Sequence, residues 1–260
     1  MRPQSGLLAD LALHAPDHLA VTGDLTNLAL PSEFLVARDW LRLLGPPDKV
    51  SVIPGNHDQT VRVPWAIGLG QWAPWMRGDP DTVQRPGEPF PFLRRRGPLA
   101  IIGLSSAVPT PPFSAAGRLG AGQLRRAAAL LEQTRGEGLF RVVLIHHPPV
   151  MGEGGRRKAL QDRGALRAML RQTGAELVLH GHHHIDRLVT IPGPAGLIPV
   201  LGVAAALATV ARPEIARWHL HRIAREGTGW RLTTQVRAYD LSSDRFLPAG
   251  EWALSIGASQ

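Results

Sequence analysis

The chain has 260 residues, a formal charge of +8 and no cysteine. That length carries a sizeable core, and a composition of 44% hydrophobic and 19% charged residues excludes global disorder. Without cysteine there are no disulfides, zinc ribbons, iron–sulfur clusters or thiol nucleophiles, so any metal must be held by His, Asp, Glu, Asn or Gln.

Apolar runs and helical periodicities alternate along the chain, which reads as α/β. Residues 7–15 look like the end of a helix, and 18–22 form a strand that stops at Gly23-Asp24. Residues 32–44 have helical spacing with Ser32 as the expected N-cap. Residues 50–53 form a second strand, ending in Pro54-Gly55-Asn56-His57-Asp58. The Trp-containing stretch 60–98 is irregular and is expected, with the loop 151–158, to shape a pocket. Residues 99–104 and 139–145 read as buried strands, and 122–135 and 159–173 as helices. His146-His147-Pro148-Pro149 follows one of these strands, and His180-Gly181-His182-His183-His184 follows a strand at 176–179. Beyond that, 185–191, 197–203, 214–223 and 230–239 read as strands joined by Gly/Pro turns, so antiparallel pairing is expected. No linker divides the chain, and one domain spanning 1–260 is expected.

Charge and hydropathy narrow the partners. All but two of the 29 basic residues are Arg, the exceptions being Lys49 and Lys158. Basic clusters at 94–96, 125–126 and 156–157 are scattered rather than striped, which argues against a dedicated nucleic-acid surface. The first ten residues lack the apolar core of a signal peptide, so the expected location is the cytoplasm. The uncharged run 188–211 is long enough to span a bilayer, but its prolines and glycines break it into strand, turn and strand, and no membrane span is expected.

Four strands each end in a Gly, His, Asn or Asp cluster, and ligands of open α/β sheets sit at the carboxyl ends of strands. Asp24, Asn56, His57, His146 and His182 to His184 are therefore expected to converge. A carboxylate can bridge cations, an amide oxygen is a hard ligand, and imidazoles add nitrogen donors. That set favours Mn, Fe or Zn over Ca.

Gly23-Asp24-Leu25-Thr26-Asn27, Gly55-Asn56-His57-Asp58, His146-His147-Pro148-Pro149 and Gly181-His182-His183-His184 together resemble the calcineurin-like metallophosphoesterases. The style is closest to bacterial members called cyclic-nucleotide-phosphodiesterase-like. The resemblance implies an α+β sandwich, two mixed β-sheets packed together and flanked by helices, with 185–240 supplying antiparallel strands of the second sheet. It implies a phosphodiester hydrolase of phosphorylated small molecules, in which a metal-bridging hydroxide attacks phosphorus. Asp24 would bridge two divalent metals, Asn56, His146 and His182 would complete the second site, and His184 would ligate the first. His146 is preferred to His147 as the first His after its strand. His57 would assist the leaving group, Asp58 would orient His57, and His183 would be no ligand. Arg156 or Arg157 could contact phosphate, since a guanidinium matches its oxygens.

The family's opening motif, Asp-x-His on a first strand, is absent from the chain. The first metal site then keeps only Asp24 and His184, and fewer than two metals are expected to bind. Three readings stay open: a start upstream of Met1, a truncated and weakly active phosphate-binding protein, or substitution by Asp10, His14 and His18, which stand at helical i, i+4, i+8 spacing. A nuclease or nucleic-acid-binding module is the third functional class, motivated by the charge.

Overall fold

The apolar runs become strands and the amphipathic ones helices in a computed structural model, which describes residues 3–80, 82, 88–151, 155–208 and 215–257. The order is α1 (Pro3–His14), β1 (Leu19–Val21), α2 (Pro31–Leu44), β2 (Val50–Val52), β3 (Phe92–Arg96), β4 (Leu99–Gly103), α3 (Ala121–Gly136), β5 (Phe140–Leu144), α4 (Arg163–Thr173), β6 (Leu177–His180), β7 (Arg187–Gly193), β8 (Gly196–Gly202), β9 (Arg217–Glu226), β10 (Gly229–Asp240) and β11 (Arg245–Ile256). This is an α/β sandwich of β-sheets flanked by helices. The chain packs as two compact units: Met1–Asp17, His183–Leu188 and Gly202–Gln260 make one, and His18–His182 with Val189–Leu201 make the other.

The larger unit holds a parallel pair, β1-β2, and a six-stranded mixed sheet in the order β3-β4-β5-β6-β8-β7. Within that sheet β4, β5 and β6 run parallel, and β3 is antiparallel to β4. Parallel neighbours finish at the same edge, which is what brings the residues after β5 and β6 side by side. The residues after β1 and β2 are matched in the same way. Helix α4 buries Leu166, Met169, Leu170 and Thr173, an i, i+3, i+4, i+7 stripe. Leu166 and Leu170 sit in a core with Ile102, Leu131, Val143, Ile145 and Val178. Truncating Leu170 to Ala there would cost about 2–5 kcal/mol.

Several sequence expectations shift. Helix α2 begins one residue before Ser32, with Pro31 in its first turn and Leu30 as N-cap. Glu33 takes over capping: its carboxylate accepts the N–H groups of Asn27, Leu28 and Leu30. Helix α4 starts at Arg163 rather than 159, because 159–161 are tied to Gly117 by Gly117 N–H to Ala159 O and Gln161 N–H to Gly117 O. The irregular stretch 60–98 hides β3, whose Phe-Leu-Arg-Arg-Arg sequence carries no strand pattern. Arg94 is buried and donates to the carbonyls of Arg77, Pro47, Val50 and Pro74, so part of the basic cluster is an internal strut joining β3 to β2. Burial and then the neighbouring Arg96 lower its pKa to about 10. Trp72 and Trp75 are buried, donating to the carbonyls of Phe34 and Gly45, and so serve the core rather than a pocket. Of that stretch, residues 81 and 83–87 lie outside the described residues, as do 152–154 of the loop 151–158.

The uncharged run forms β7 and β8, which join the six-stranded sheet; its residues 209–211 lie outside the described residues. Residue 214, the expected start of the next strand, lies outside them too. Among the described residues no helix is long and apolar enough to cross a membrane. In the smaller unit β9, β10 and β11 form an antiparallel sheet in the order β11-β10-β9, and β11 lies beyond the strands read from sequence. Asp10 of α1 is buried there. It accepts from Trp218 Nε1 at 2.9 Å, Arg237 Nε at 3.0 Å and Arg237 Nη2 at 2.6 Å. His14 donates to the Asp10 carbonyl and meets the Trp218 ring edge-on, while His18 pairs with Ser51 Oγ. The proposed Asp10–His14–His18 metal face is therefore overturned: its carboxylate is already held by two cation- or N–H-bearing side chains.

Candidate metal and phosphate site

Two glycines let the strand ends close on one another. A Cβ on Gly55 would collide with Asp24 Oδ1 and come within 2.7 Å of His146 Cε1. Gly23, at φ +100°, leaves no room either, since a Cβ there would sit 2.5 Å from Gly55 N. Asp24 and His182 themselves stand at φ +60° and +70°. Left-handed backbone at a non-glycine residue costs roughly 1–2 kcal/mol, a local cost characteristic of functional turns.

The side chains converge in the larger unit. His146 is fully buried, and its Nδ1 lies 2.7 Å from the Thr22 carbonyl. A carbonyl only accepts, so Nδ1 carries a proton, and Nε2 points inward, offering a lone pair when the ring is neutral and an N–H to Asp24 when it is charged. That Nε2 stands 3.1 Å from Asn56 Oδ1 and 3.3 Å from Asp24 Oδ2. His182 repeats the arrangement with its nitrogens exchanged. Nε2 donates to the Lys158 carbonyl at 2.8 Å, and Nδ1 faces Asn56 Oδ1 at 2.8 Å. Four acceptor atoms, Asp24 Oδ2, Asn56 Oδ1, His146 Nε2 and His182 Nδ1, thus turn toward one another. Acceptors pressed together in this way call for a cation. Among the described residues no group of three His, Asp or Glu side chains closes around one point; the amide oxygen of Asn56 is the link between Asp24–His146 and His182. The donor chemistry suits one borderline divalent cation.

Electrostatics agree. Burial opposes ionisation of Asp24, but the His146 hydrogen bond and charge and the His57 N–H outweigh it, holding the carboxyl well below its usual range. Burial opposes a charged His146 as well, and Asp24 reverses that, raising its pKa. A proton on His146 is the natural competitor of a metal ion here.

Asp58 is buried and serves as a backbone clamp. Its Oδ2 accepts from Asp24 N–H at 2.9 Å and Gly55 N–H at 2.8 Å, and its Oδ1 accepts from Thr26 N–H at 2.8 Å and Thr26 Oγ1 at 3.0 Å. Burial, and then the charge of Asp24, push it up to about 6 against the pull of the Gly55 and Thr26 N–H groups. The expectation that Asp58 orients the His57 ring is corrected by this geometry, because the carboxylate is aimed at the 24–26 loop. The ring of His57 is set instead by Nδ1–H donating to the Asn27 carbonyl at 2.8 Å, and its backbone N–H donates to Asp24 Oδ1 at 3.0 Å. A main-chain carbonyl, not the Asn27 side chain, does that work. A cavity of about 430 Å³ lined by Leu25, Thr26, Asn27, Ser32, Glu33 and Val36 opens beside these residues.

His147 is buried and faces elsewhere, with Nδ1 at 2.8 Å from Ser106 Oγ and Nε2 at 3.0 Å from the Ala115 carbonyl. Arg156 and Arg157 are exposed in the short 3-10 turn Gly155–Arg157, next to the Lys158 carbonyl that holds His182. His184 stands at φ +55° and belongs to the smaller unit. His183 belongs to the smaller unit too.

Sequence reading missed the Thr22, Asn27, Lys158 and Ala115 carbonyls and the side chains of Thr26 and Ser106. Main-chain acceptors leave no trace in residue type. Thr26 had a signal, lying inside the Gly-Asp-Leu-Thr motif.

Residues 6–186 match the calcineurin-like phosphoesterase family. The chain belongs to that family. This calcineurin-like phosphoesterase is 30% identical over 247 residues to a Synechococcus protein described as "Probable cyclic nucleotide phosphodiesterase", the match covering 93% of this chain and 84% of the relative. Its fold is similar to that of a dimetal phosphatase from Danio rerio, with a TM-score of 0.68 and 11% identity over 95% of this chain and 87% of the other. It is thus a member of a metal-dependent phosphoesterase superfamily, and its sequence lacks the Asp-x-His motif.

Proposed function

We propose that the chain binds one divalent cation, and through it the phosphoryl group of a small-molecule phosphoester, with hydrolysis weak or absent. The observation that carries this reading is the inward convergence of Asp24 Oδ2, Asn56 Oδ1, His146 Nε2 and His182 Nδ1. These four residues would hold the cation, with Mn, Fe or Zn as the candidates. When bound, a cation there supplies positive charge to phosphoryl oxygens. His57 stands at the rim with Nδ1 fixed as donor to Asn27, which leaves Nε2 to hold or pass a proton to an ester oxygen. Arg156 or Arg157 would add guanidinium contacts to phosphate. Asp58 keeps the two loops together. By motif position, His184 would be the first-site ligand that the family resemblance implies. We read 1–260 as one phosphoesterase-like domain, and the cytoplasm as its location.

A second reading, full hydrolysis, rests on the tethered His57 ring. The test is hydrolysis of bis-p-nitrophenyl phosphate with Mn²⁺, with Asn56→Ala as control, beside Mn²⁺-dependent binding of inorganic phosphate. The proposal expects phosphate binding that Asn56→Ala abolishes, and little turnover. Robust turnover lost in Asn56→Ala would replace it with the hydrolase reading. Retention on DNA that weakens with salt would favour the nucleic-acid class instead.

A further inference from the structure

Three backbone N–H groups of the loop between β1 and α2 converge on one carboxylate. Glu33 Oε1 accepts from Asn27 N–H at 3.1 Å, and Oε2 accepts from Leu28 N–H at 3.0 Å and Leu30 N–H at 2.9 Å. Ala29, buried and at φ +56°, turns the chain between them. Only the Leu30 contact serves to cap α2, because a capping box asks a single N–H of its glutamate. The other two carry the carboxylate back toward the site. Burial opposes ionisation of Glu33, but the N–H groups of Leu30, Leu28 and Asn27, and then His57, outweigh it and hold the carboxyl below its usual range. The loop therefore closes on an anion.

The Leu28 N–H belongs to the same planar peptide group as the Asn27 carbonyl, and the two point in opposite directions across it. That carbonyl accepts Nδ1–H of His57 at 2.8 Å. Carboxylate, peptide and imidazole thus form one hydrogen-bonded line from Glu33 to His57. An anion at the N–H end polarises the peptide and strengthens its carbonyl as an acceptor. The backbone of His57 is fixed independently. Its N–H donates to Asp24 Oδ1 at 3.0 Å, and its carbonyl accepts from Thr26 Oγ1 at 3.0 Å and Thr60 Oγ1 at 2.9 Å. The ring is oriented by the Asn27 carbonyl.

We infer that Glu33 is a positioning residue for His57: through the Asn27–Leu28 peptide it fixes the ring's orientation and keeps the proton of the neutral ring on Nδ1, so that Nε2 is the nitrogen presented to the phosphoester. This rests on the phosphate-binding reading above, which gives Nε2 its task. Glu33 touches neither cation nor phosphoryl group in this role. A free neutral histidine ring favours the proton on Nε2, so the line works against an intrinsic bias. Loss of the charge, with the cap retained, should move the tautomer ratio roughly fivefold toward Nε2–H.

The test is nitrogen NMR of the full chain carrying isotope-labelled histidine, at about pH 8.5, where a free imidazole is neutral. The His57 signals are assigned by their loss in His57→Gln. The wild type should show Nδ1 protonated and Nε2 bare. Glu33→Gln, whose amide can still cap α2, should shift the ring toward Nε2–H. Pro31→Gly loosens the same helix start without touching the carboxylate, and should leave the wild-type spectrum. A wild-type ring protonated on Nε2, a ratio unmoved in Glu33→Gln, or the same shift in Pro31→Gly overturns the inference. Methylphosphonate added with Zn²⁺, a diamagnetic candidate cation, tests the underlying reading in the same sample and should shift the His57 Nε2 signal. An unmoved ratio in Glu33→Gln, beside a wild-type Nε2 that answers methylphosphonate, removes the positioning role and leaves the proposed function standing. A wild-type Nε2 that ignores methylphosphonate overturns the proposed function, and the positioning role with it.

Discussion

Two carboxylates withdrawn from solvent show how differently one residue type can be employed. Asp10 is 6% exposed, and both of its oxygens meet N–H donors from Arg237 and Trp218. Asp24 is 13% exposed, and its Oδ2 meets His146 Nε2, a nitrogen that can hold a proton or a cation, beside the acceptor oxygen of Asn56. The first arrangement is satisfied by the protein alone and fastens α1 to the antiparallel sheet. The second gathers acceptor atoms and is the one we propose to take a cation. A structural acid is recognised by the donors around it, and a functional one by the acceptors.

Mutating the two acids should separate these roles. Asp10→Asn leaves Arg237 buried without its charge partner and should destabilise the protein by about 3–5 kcal/mol, read as urea or thermal unfolding. Mn²⁺ affinity of the folded protein should be unchanged. Asp24→Asn keeps an oxygen for the His57 N–H but loses the charge paired with His146, so stability should fall by less than in Asp10→Asn, whereas Mn²⁺ affinity should fall on the order of 100-fold. A large stability loss in Asp24→Asn with intact metal binding would reverse the assignment.

Asp58→Asn probes the boundary between the two classes. All four groups facing its carboxylate are donors, so an amide NH₂ placed among them should cost about 1–3 kcal/mol and loosen Mn²⁺ binding roughly tenfold. The smallest effect belongs to His18. Burial, and then the charges of Arg96 and Arg94, lower its pKa to about 4 from 6.5. The unfolded chain therefore takes up the proton first as pH falls. Stability contributed by neutral His18 is complete above about pH 6.5 and is lost as pH drops toward 4. For this half-buried group the loss at pH 5 should be about 1–2 kcal/mol, and His18→Gln should flatten that slope in denaturant titrations between pH 7 and 5.

Much of the site was legible because strands and motifs alternate. Asp24, Asn56, His146 and His182 each follow an apolar run, and β1, β2, β5 and β6 run parallel with their partners, so their ends meet. What was illegible shares one cause, dependence on partners far away in sequence. β3 could not be read from Leu93-Arg94-Arg95-Arg96, since Arg94 is accommodated only by four carbonyls from residues 47, 50, 74 and 77. The helical pattern of 159–173 overran its true start because Gly117, more than forty residues earlier, captures 159 and 161 in a bridge. Asp10 and His14 fit a metal face by spacing alone, and Trp218 and Arg237 claim that face. The ring of His57 is governed by a carbonyl, which no residue type announces.

The measurement that bears most directly on this account is the number of Mn²⁺ ions bound per chain, from equilibrium dialysis of metal-stripped protein with the wild type beside Asn56→Ala and His182→Ala. One tight ion per chain in the wild type, and none in either variant, is the predicted result. Two tight ions per chain, or one ion that survives both substitutions, would contradict it.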